Sequence, residues 1–442
     1  MKRKCIAAAF MALGLLLLSG CFVKTVDEMY ALPQHSDEYY HLQQAIDAVM
    51  TGGASYCAPV SGVNQQSVQL ADLDGDGEDE AVVFLKRDEV KPLSAYIFDK
   101  VGETYENIAV IEGSGAAFES ADYVELDDKP GSEIIIGRRL SDQVLQAMSA
   151  YTLVDGRIVE LMSANYTEYT VADLDNDGRK DIFVLHFDGE TQKGVVELYR
   201  YKDGQLEREP EVGMSDGAGS AKRMISGYMA HDVPAVFVAS EYGTDSIITD
   251  VFAFRGDSFQ NITSSDAGTS VQTVRSYYVY ANDIDSDGLI ELPELVELPR
   301  IDDSAGTYSI IRWYNLGMNG EKRVKLTTYH SFASGWYLTI PDEWDEQITI
   351  SRSEETSGVR GLVFSEWDAK TRRATPIFTI YAFSGEDRNI TAPQSGRFIL
   401  SEKGDVTYAA ELGVSAWAKT LDEQTLKRMF NYIRIDWNSG ET

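Results

Sequence analysis

The sequence predicts an all-β protein, a β-propeller of six or seven four-stranded blades with seven preferred, carrying short N- and C-terminal helices. Three observations predict it. From residue 61 to about residue 415 the chain consists of short apolar runs bounded by turn residues, the pattern of strands. An acidic nonamer recurs within it: DLDGDGEDE at Asp72–Glu80, DLDNDGRKD at Asp173–Asp181 and DIDSDGLIE at Asp283–Glu291. The intervals from Asp72 to Asp173 and from Asp173 to Asp283 each hold roughly two units of about fifty residues, a repeat length at which multistranded units stack into propellers or comparable arrays. Hydrophobic content of 43% and aromatic content of 11% suit a folded chain with a sizeable core, despite a formal charge of −32.

In chain order, residues 1–20 read as an export signal. Lys2, Arg3 and Lys4 precede a mainly apolar run from Ile6 to Leu18, too short and wrongly flanked for a membrane span. Leu18-Ser19-Gly20-Cys21 closes it and resembles the bacterial lipobox. That resemblance implies cleavage before Cys21, acylation of its thiol, and a mature protein tethered outside the cytoplasmic membrane. Cys57 is then the one remaining cysteine beyond Cys21, so no internal disulfide is available, and a packed small side chain is its expected role. Residues 21–60 comprise a tether to about Gln34 and a helix. Ser36 can cap that helix, and Tyr39, Leu42, Ile46 and Val49 share one face up to about Met50 before Gly52 and Gly53 end it.

The propeller occupies 61–415. In its first unit Gln65–Leu70 is a strand, 72–80 an acidic loop and Ala81–Leu85 the second strand, followed by Ala95–Phe98 and Ile108–Ile111. The second strand is continuously apolar, as is Ile182–Leu185, which requires cover on both faces. Degenerate copies fall between the nonamers. DYVELDDKPGSEIIIG at 122–137 keeps the acidic turn, whereas GYMAHDVPAVFVAS at 227–240 and WYLTIPDEWDEQITI at 336–350 keep the strands alone. DVFAFRGDSFQNITSS at 250–265 parallels TIYAFSGEDRNITAPQ at 379–394. Residues 416–442 form a C-terminal helix and tail. Thr420 and Glu423 have capping-box spacing, and Leu426, Met429, Phe430 and Ile433 make an apolar stripe of about four turns.

Each nonamer carries carboxylates at positions 1, 3, 5 and 9 and glycine at position 6. Oxygen donors at alternate residues converge if the loop curls, and Gly77, Gly178 and Gly288 permit the turn. Three or four carboxylates crowded without a cation would repel one another. Acidic turns without metal are the bland alternative, and three copies with matched spacing and matched flanking strands favour Ca2+ over it. Magnesium, with its stricter octahedron, ranks second. An EF-hand fits the third copy through Glu294 at position 12, but Pro293 opposes an exiting helix, and the first two copies have Val83 and Val184 there.

These nonamers, set between apolar strands at this period, resemble the FG-GAP or VCBS repeat, which builds the β-propeller of integrin α subunits and of many secreted bacterial proteins. The resemblance spans roughly 350 residues but is sharp at three loops. It implies calcium held by side chains at positions 1, 3, 5 and 9 and by the carbonyl at position 7. Those positions are Asp72, Asp74, Asp76, Glu78 and Glu80 in the first loop. They are Asp173, Asp175, Asp177, Arg179 and Asp181 in the second, and Asp283, Asp285, Asp287, Leu289 and Glu291 in the third. Glu80 and Glu291 depart from the aspartate more usual at position 9.

No H-E-x-x-H or phosphate-cradling glycine loop is present, and the five histidines lack ligand spacing. Trp313, Trp336, Trp344 and Trp367 are expected in the core, with sugar stacking the alternative. The acidity excludes nucleic acid and anionic headgroups as partners. The expected function is an extracytoplasmic, membrane-anchored binding or scaffolding module, stabilised by calcium, for a surface protein or glycan. Two alternatives stand beside it: a carbohydrate-active hydrolase or lyase at the central channel, and a regulatory lipoprotein acting on a membrane sensor or envelope enzyme.

Overall fold

The computed structural model describes residues 37–88, 91–140, 146–188, 193–202, 204–276, 279–301, 306–353 and 359–434. The residues expected to form a leader and a tether, with Cys21 and Ser36 among them, lie outside the described residues. The N-terminal helix runs Asp37–Met50, and Gly53, at φ +86°, returns its N–H to Met50 O at 3.2 Å. Leu42 and Ile46 are buried against Ala81, Val83, Leu85, Tyr96 and Phe98, so the helix covers one face of the first sheet. Among the described residues no helix is long and apolar enough to cross a membrane.

The protein is all-β in class, and among the described residues the other α-helices are the short Arg388–Thr391 and Glu423–Met429. The described residues form six antiparallel sheets of four or five strands, where the repeat spacing leads to six or seven units. The first contains Val68–Ala71, Glu80–Lys86, Leu93–Val101 and Thr104–Gly113, and the short strand Ser55–Tyr56 joins it. Ala117–Val124, Glu133–Arg139, Gln146–Val154 and Arg157–Tyr166 form the second. The third is built from Glu168–Ala172, Asp181–Asp188, Lys193–Lys202 and Gln205–Arg208, with Val212–Gly213 beside it. Ala218–Met229, Val233–Tyr242, Ser246–Arg255 and Ser258–Asn261 make the fourth. The fifth and sixth cover Glu291–Ile340 and Ile348–Leu412.

Hydrophobic cores lie between consecutive sheets. On the strand after the second acidic loop, Ile182 and Val184 enter the core shared with the second sheet, while Phe183 and Leu185 enter the core shared with the fourth. Side chains of a strand alternate in direction, so a strand sandwiched between two layers needs apolar residues at every position. Trp313, Trp336 and Trp344 are buried, and Cys57 packs half-buried on the core between the first two sheets.

Hydrogen bonds also interlock the loops. Ser132 N donates to Asp72 O at 2.9 Å, Lys180 N to Glu125 O at 3.0 Å and Ile290 N to Tyr228 O at 2.8 Å. The eighth residue of one loop thereby grips the chain at or just before the preceding turn. This backbone wiring is independent of side-chain identity, so it persists where the acidic pattern has degenerated.

The C-terminal segment corrects the expectation of four helical turns. The helix is Glu423–Met429, and its cap is Asp422, whose carboxylate accepts from Thr425 N at 2.7 Å; Thr420 Oγ1 instead donates to Trp417 O. Phe430–Tyr432 then becomes the fifth strand of the fifth sheet, pairing Leu338 with Phe430 and Trp336 with Tyr432. The rings of Phe430 and Tyr432 pack among Trp336 and Tyr408. An open sheet edge and an aromatic cluster outweigh the two further turns that the stripe allowed.

Candidate metal centres

All three acidic loops fold alike. The ninth residue begins a strand and is buried, with exposures of 1% for Glu80, 4% for Asp181 and 0% for Glu291. Each turns one carboxylate oxygen back onto the N–H of the second residue: Leu73 N–Glu80 Oε2 2.7 Å, Leu174 N–Asp181 Oδ2 2.9 Å and Ile284 N–Glu291 Oε2 2.9 Å. The first carboxylate accepts from the glycine at position 6, over 3.1 Å for Gly77–Asp72, 3.0 Å for Gly178–Asp173 and 3.0 Å for Gly288–Asp283. Those glycines have φ of +89°, +91° and +88° with open space at the missing Cβ, so backbone conformation alone demands them. Position 4 is left-handed as well, at Gly75, Asn176 and Ser286. Glycine and asparagine at that position carry a local sequence signal for it.

Positions 1, 3 and 9 converge. Asp72, Asp74 and Glu80, then Asp173, Asp175 and Asp181, then Asp283, Asp285 and Glu291 each bring ligand oxygens within 4.8 Å of one another, and each group could hold a metal ion. Position 5 stands apart from these triads. Asp76, Asp177 and Asp287 accept from the N–H of position 7, Glu78, Arg179 and Leu289, at 2.8, 2.9 and 3.0 Å. Asp177 is also paired with Arg179, and Asp287 with Lys325.

The donor set fits a hard divalent cation. Carboxylate oxygens are the ligands calcium and magnesium take, and Glu80 Oε1 and Asp173 Oδ1 are buried without a hydrogen-bond partner. Burial, reinforced by neighbouring acids, pushes the carboxyls of Glu80, Asp181 and Glu291 up to about 7, against the pull of the backbone N–H each accepts from. A cation held by the triad would supply the missing counter-charge and reverse that shift.

The turn at 125–133 is a fourth member of the series. Glu133 is 3% exposed and accepts from Leu126 N at 2.7 Å, the same contact as in the other loops. Position 5, however, is Lys129, whose Nζ lies 3.0 Å from the buried Asp127 carboxylate. An ammonium group of the chain itself thus serves this loop.

At each of these four loops a residue on the next strand faces the ninth carboxylate, and it differs in every case. The pairings Ala81–Phe98, Ile134–Tyr151 and Ile182–Tyr199 set Asp99, Thr152 and Arg200 opposite Glu80, Glu133 and Asp181, and Glu291 pairs directly with Asn315. Thr152 donates to Glu133 Oε1 at 3.2 Å, and Asn315 Nδ2 donates to Glu291 Oε1. Arg200 pairs with Asp175 and lies 3.7 Å from Asp181. Asp99 has nothing to donate. The intervals Glu80–Asp99, Glu133–Thr152 and Asp181–Arg200 are identical in the sequence, a regularity that only strand pairing makes meaningful.

Apart from the loops, a cleft of about 720 Å³ opens between the first strands of the second and third sheets and the segment 61–64. Glu119, Asp122 and Glu168 line it with Tyr123, Tyr166 and Tyr169, and no Lys, Arg or His is among its lining residues. Tyr169 donates to Asp122 and lies 2.7 Å from Ser120 Oγ, while Tyr123 donates to Gln69 at 2.8 Å, so these two rings are held in place.

No protein-family model and no curated protein matches the chain. Among solved structures it is similar to the exotype rhamnogalacturonan lyase YesX, with a TM-score of 0.31 and 12% identity over 74% of this chain and 65% of that one. A rhamnogalacturonan lyase from Bacillus licheniformis gives 0.29 and 11% over 80% and 72%. Sqt1 from Chaetomium thermophilum gives 0.31 and 11% over 79% and 96%. This chain therefore spans less than two thirds of the length of YesX, and likenesses of this order assign it neither family nor activity.

Proposed function

We propose that this chain is a lipid-anchored, extracytoplasmic β-propeller whose acidic loops bind calcium for stability, and that it serves as a binding module for a surface protein or a glycan. One observation carries the reading: the same wiring recurs at each acidic loop, always ending in a buried ninth carboxylate that a divalent cation would complete. Six consecutive antiparallel sheets with cores between them support the propeller, and the loop pattern supports its likeness to FG-GAP or VCBS repeats. The acidic, tyrosine-lined cleft is the ligand site, and its charge favours a neutral or cationic ligand.

Glycan-array binding by the wild type and by Glu168→Gln tests the ligand class. Binding that the variant loses supports it; absence of glycan binding, with envelope proteins captured equally by both proteins, removes this cleft from the function. Cys21→Ser should shift the protein from the membrane to the soluble fraction, and its retention on the membrane would refute the anchor.

A second reading, a carbohydrate-active hydrolase, draws on the three cleft carboxylates. It predicts release of reducing ends from an oligosaccharide panel and loss of that release in Asp122→Asn. A regulatory lipoprotein working through a free C-terminal helix is less well supported, because Leu426, Met429 and Phe430 are buried in the core of the last two sheets.

A further inference from the structure

Although the three acidic loops share one backbone design, their electrostatic surroundings are unequal. Asp72, Asp74, Asp76, Glu80 and the facing Asp99 surround the first loop, and none of the five joins an ion pair among the described residues. Glu80 Oε1, on a residue 1% exposed, has no hydrogen-bond partner and belongs to the triad. At the third loop Asn315 brings a neutral amide to Glu291, and Lys325 bonds Asp287 with its Nζ 3.6 Å from Asp285. At the second loop Arg200 sits among the ligands themselves, paired with Asp175 and 3.7 Å from Asp181, while Arg179 takes Asp177. The Arg200 guanidinium is held there, 16% exposed, by Glu209 at 3.0 Å and by the Phe254 ring 4.6 Å away.

We propose that the residue facing the ninth carboxylate from the next strand decides how strongly each loop holds a divalent cation. Asp99 makes the first loop the tightest site, Asn315 leaves the third intermediate, and Arg200 makes the second the weakest by standing in for the ion. The inference rests on the cation reading of the loops given above. Its physical basis is Coulombic. A fixed guanidinium beside the triad repels a divalent ion and occupies the same oxygens, whereas a fifth carboxylate attracts it. At the turn 125–133, Lys129 within the turn and Thr152 facing it from the strand Gln146–Val154 complete the series, with a chain-borne cation and a hydroxyl in place of metal. Second-layer partners of this kind change metal affinity by about 10- to 100-fold.

The test is calorimetric titration of the full chain, stripped with chelator, using calcium chloride alone, together with thermal melts of every variant in chelator to verify folding. The wild type is expected to show sites of unequal affinity. Arg200→Gln should tighten the weakest class by about 10- to 100-fold, and Asp99→Asn should weaken the tightest by a similar factor. If either variant fails to fold, the other reads the same rule at a different loop. Three equal sites, with both variants titrating like the wild type, overturn this inference while leaving the cation reading intact. Absence of any calcium heat, with no shift in melting, overturns both.

Discussion

Replacing Lys129 by methionine keeps the apolar stem and removes the ammonium. The Nζ of Lys129 is 3.0 Å from Asp127 Oδ2, and the two side chains are 53% and 1% exposed. The pair is therefore neither a surface ion pair, worth about 0–1 kcal/mol, nor a fully buried one, whose disruption costs about 3–5 kcal/mol. Asp127 keeps its backbone bond from Lys129 N at 2.7 Å, which limits the loss. A destabilisation of about 1–3 kcal/mol follows. An unfolding entropy of about 2 cal/mol/K per residue gives a chain of this size a fall in melting temperature of roughly 1 °C per kcal/mol. Circular-dichroism melts should show this fall equally in calcium and in chelator, because the loop carries its own cation. Lys129→Arg should recover most of it, and salt should shrink it. Wild-type melting of Lys129→Met, or a loss that appears in calcium alone, would refute the assignment of that ammonium.

Other perturbations read different parts of the structure. Chelation should lower the melting temperature, since a site with Kd of ~10⁻⁴ M at ~1 mM calcium contributes about 1.4 kcal/mol, a tighter one more and a weaker one less; an unchanged melt would exclude them. Leu426→Ala, at a fully buried position, should cost about 2–5 kcal/mol by urea unfolding, and a cost near zero would mean that the C-terminal segment does not belong to the core. His330, packed among Trp313, Phe332 and Tyr337, has its pKa pushed down to about 3 by burial. The unfolded chain then binds the extra proton first. Stability contributed by the neutral ring is complete above about pH 6.5 and is lost as pH falls toward about 3. The urea midpoint should decline over that window, and His330→Phe should flatten the decline; equal slopes would refute the assignment.

Within any nine residues the local physics was legible from the chain alone. Alternate carboxylates, a left-handed glycine at position 6 and a following strand of unbroken apolar residues lead to a curled acidic turn before a strand covered on both faces. The loops and the strands at Glu80–Lys86 and Asp181–Asp188 take that form. The helix at Asp37–Met50 was equally readable, because its apolar face and its glycine stop lie within a few turns of one another. Partners brought together by strand register were hidden. Asp99, Thr152, Arg200 and Asn315 acquire meaning once the next strand lays them against the ninth carboxylate, and no short-range period marks them. Position 5 looked equivalent to its neighbours, yet its carboxylate turns to the position 7 N–H instead of the triad. The final strand followed the same logic, since the edge at Trp336–Leu338 that captures Phe430–Tyr432 is remote in the chain. Turn chemistry is local and so is written in order along the sequence; charge balance and edge pairing depend on what tertiary packing sets alongside.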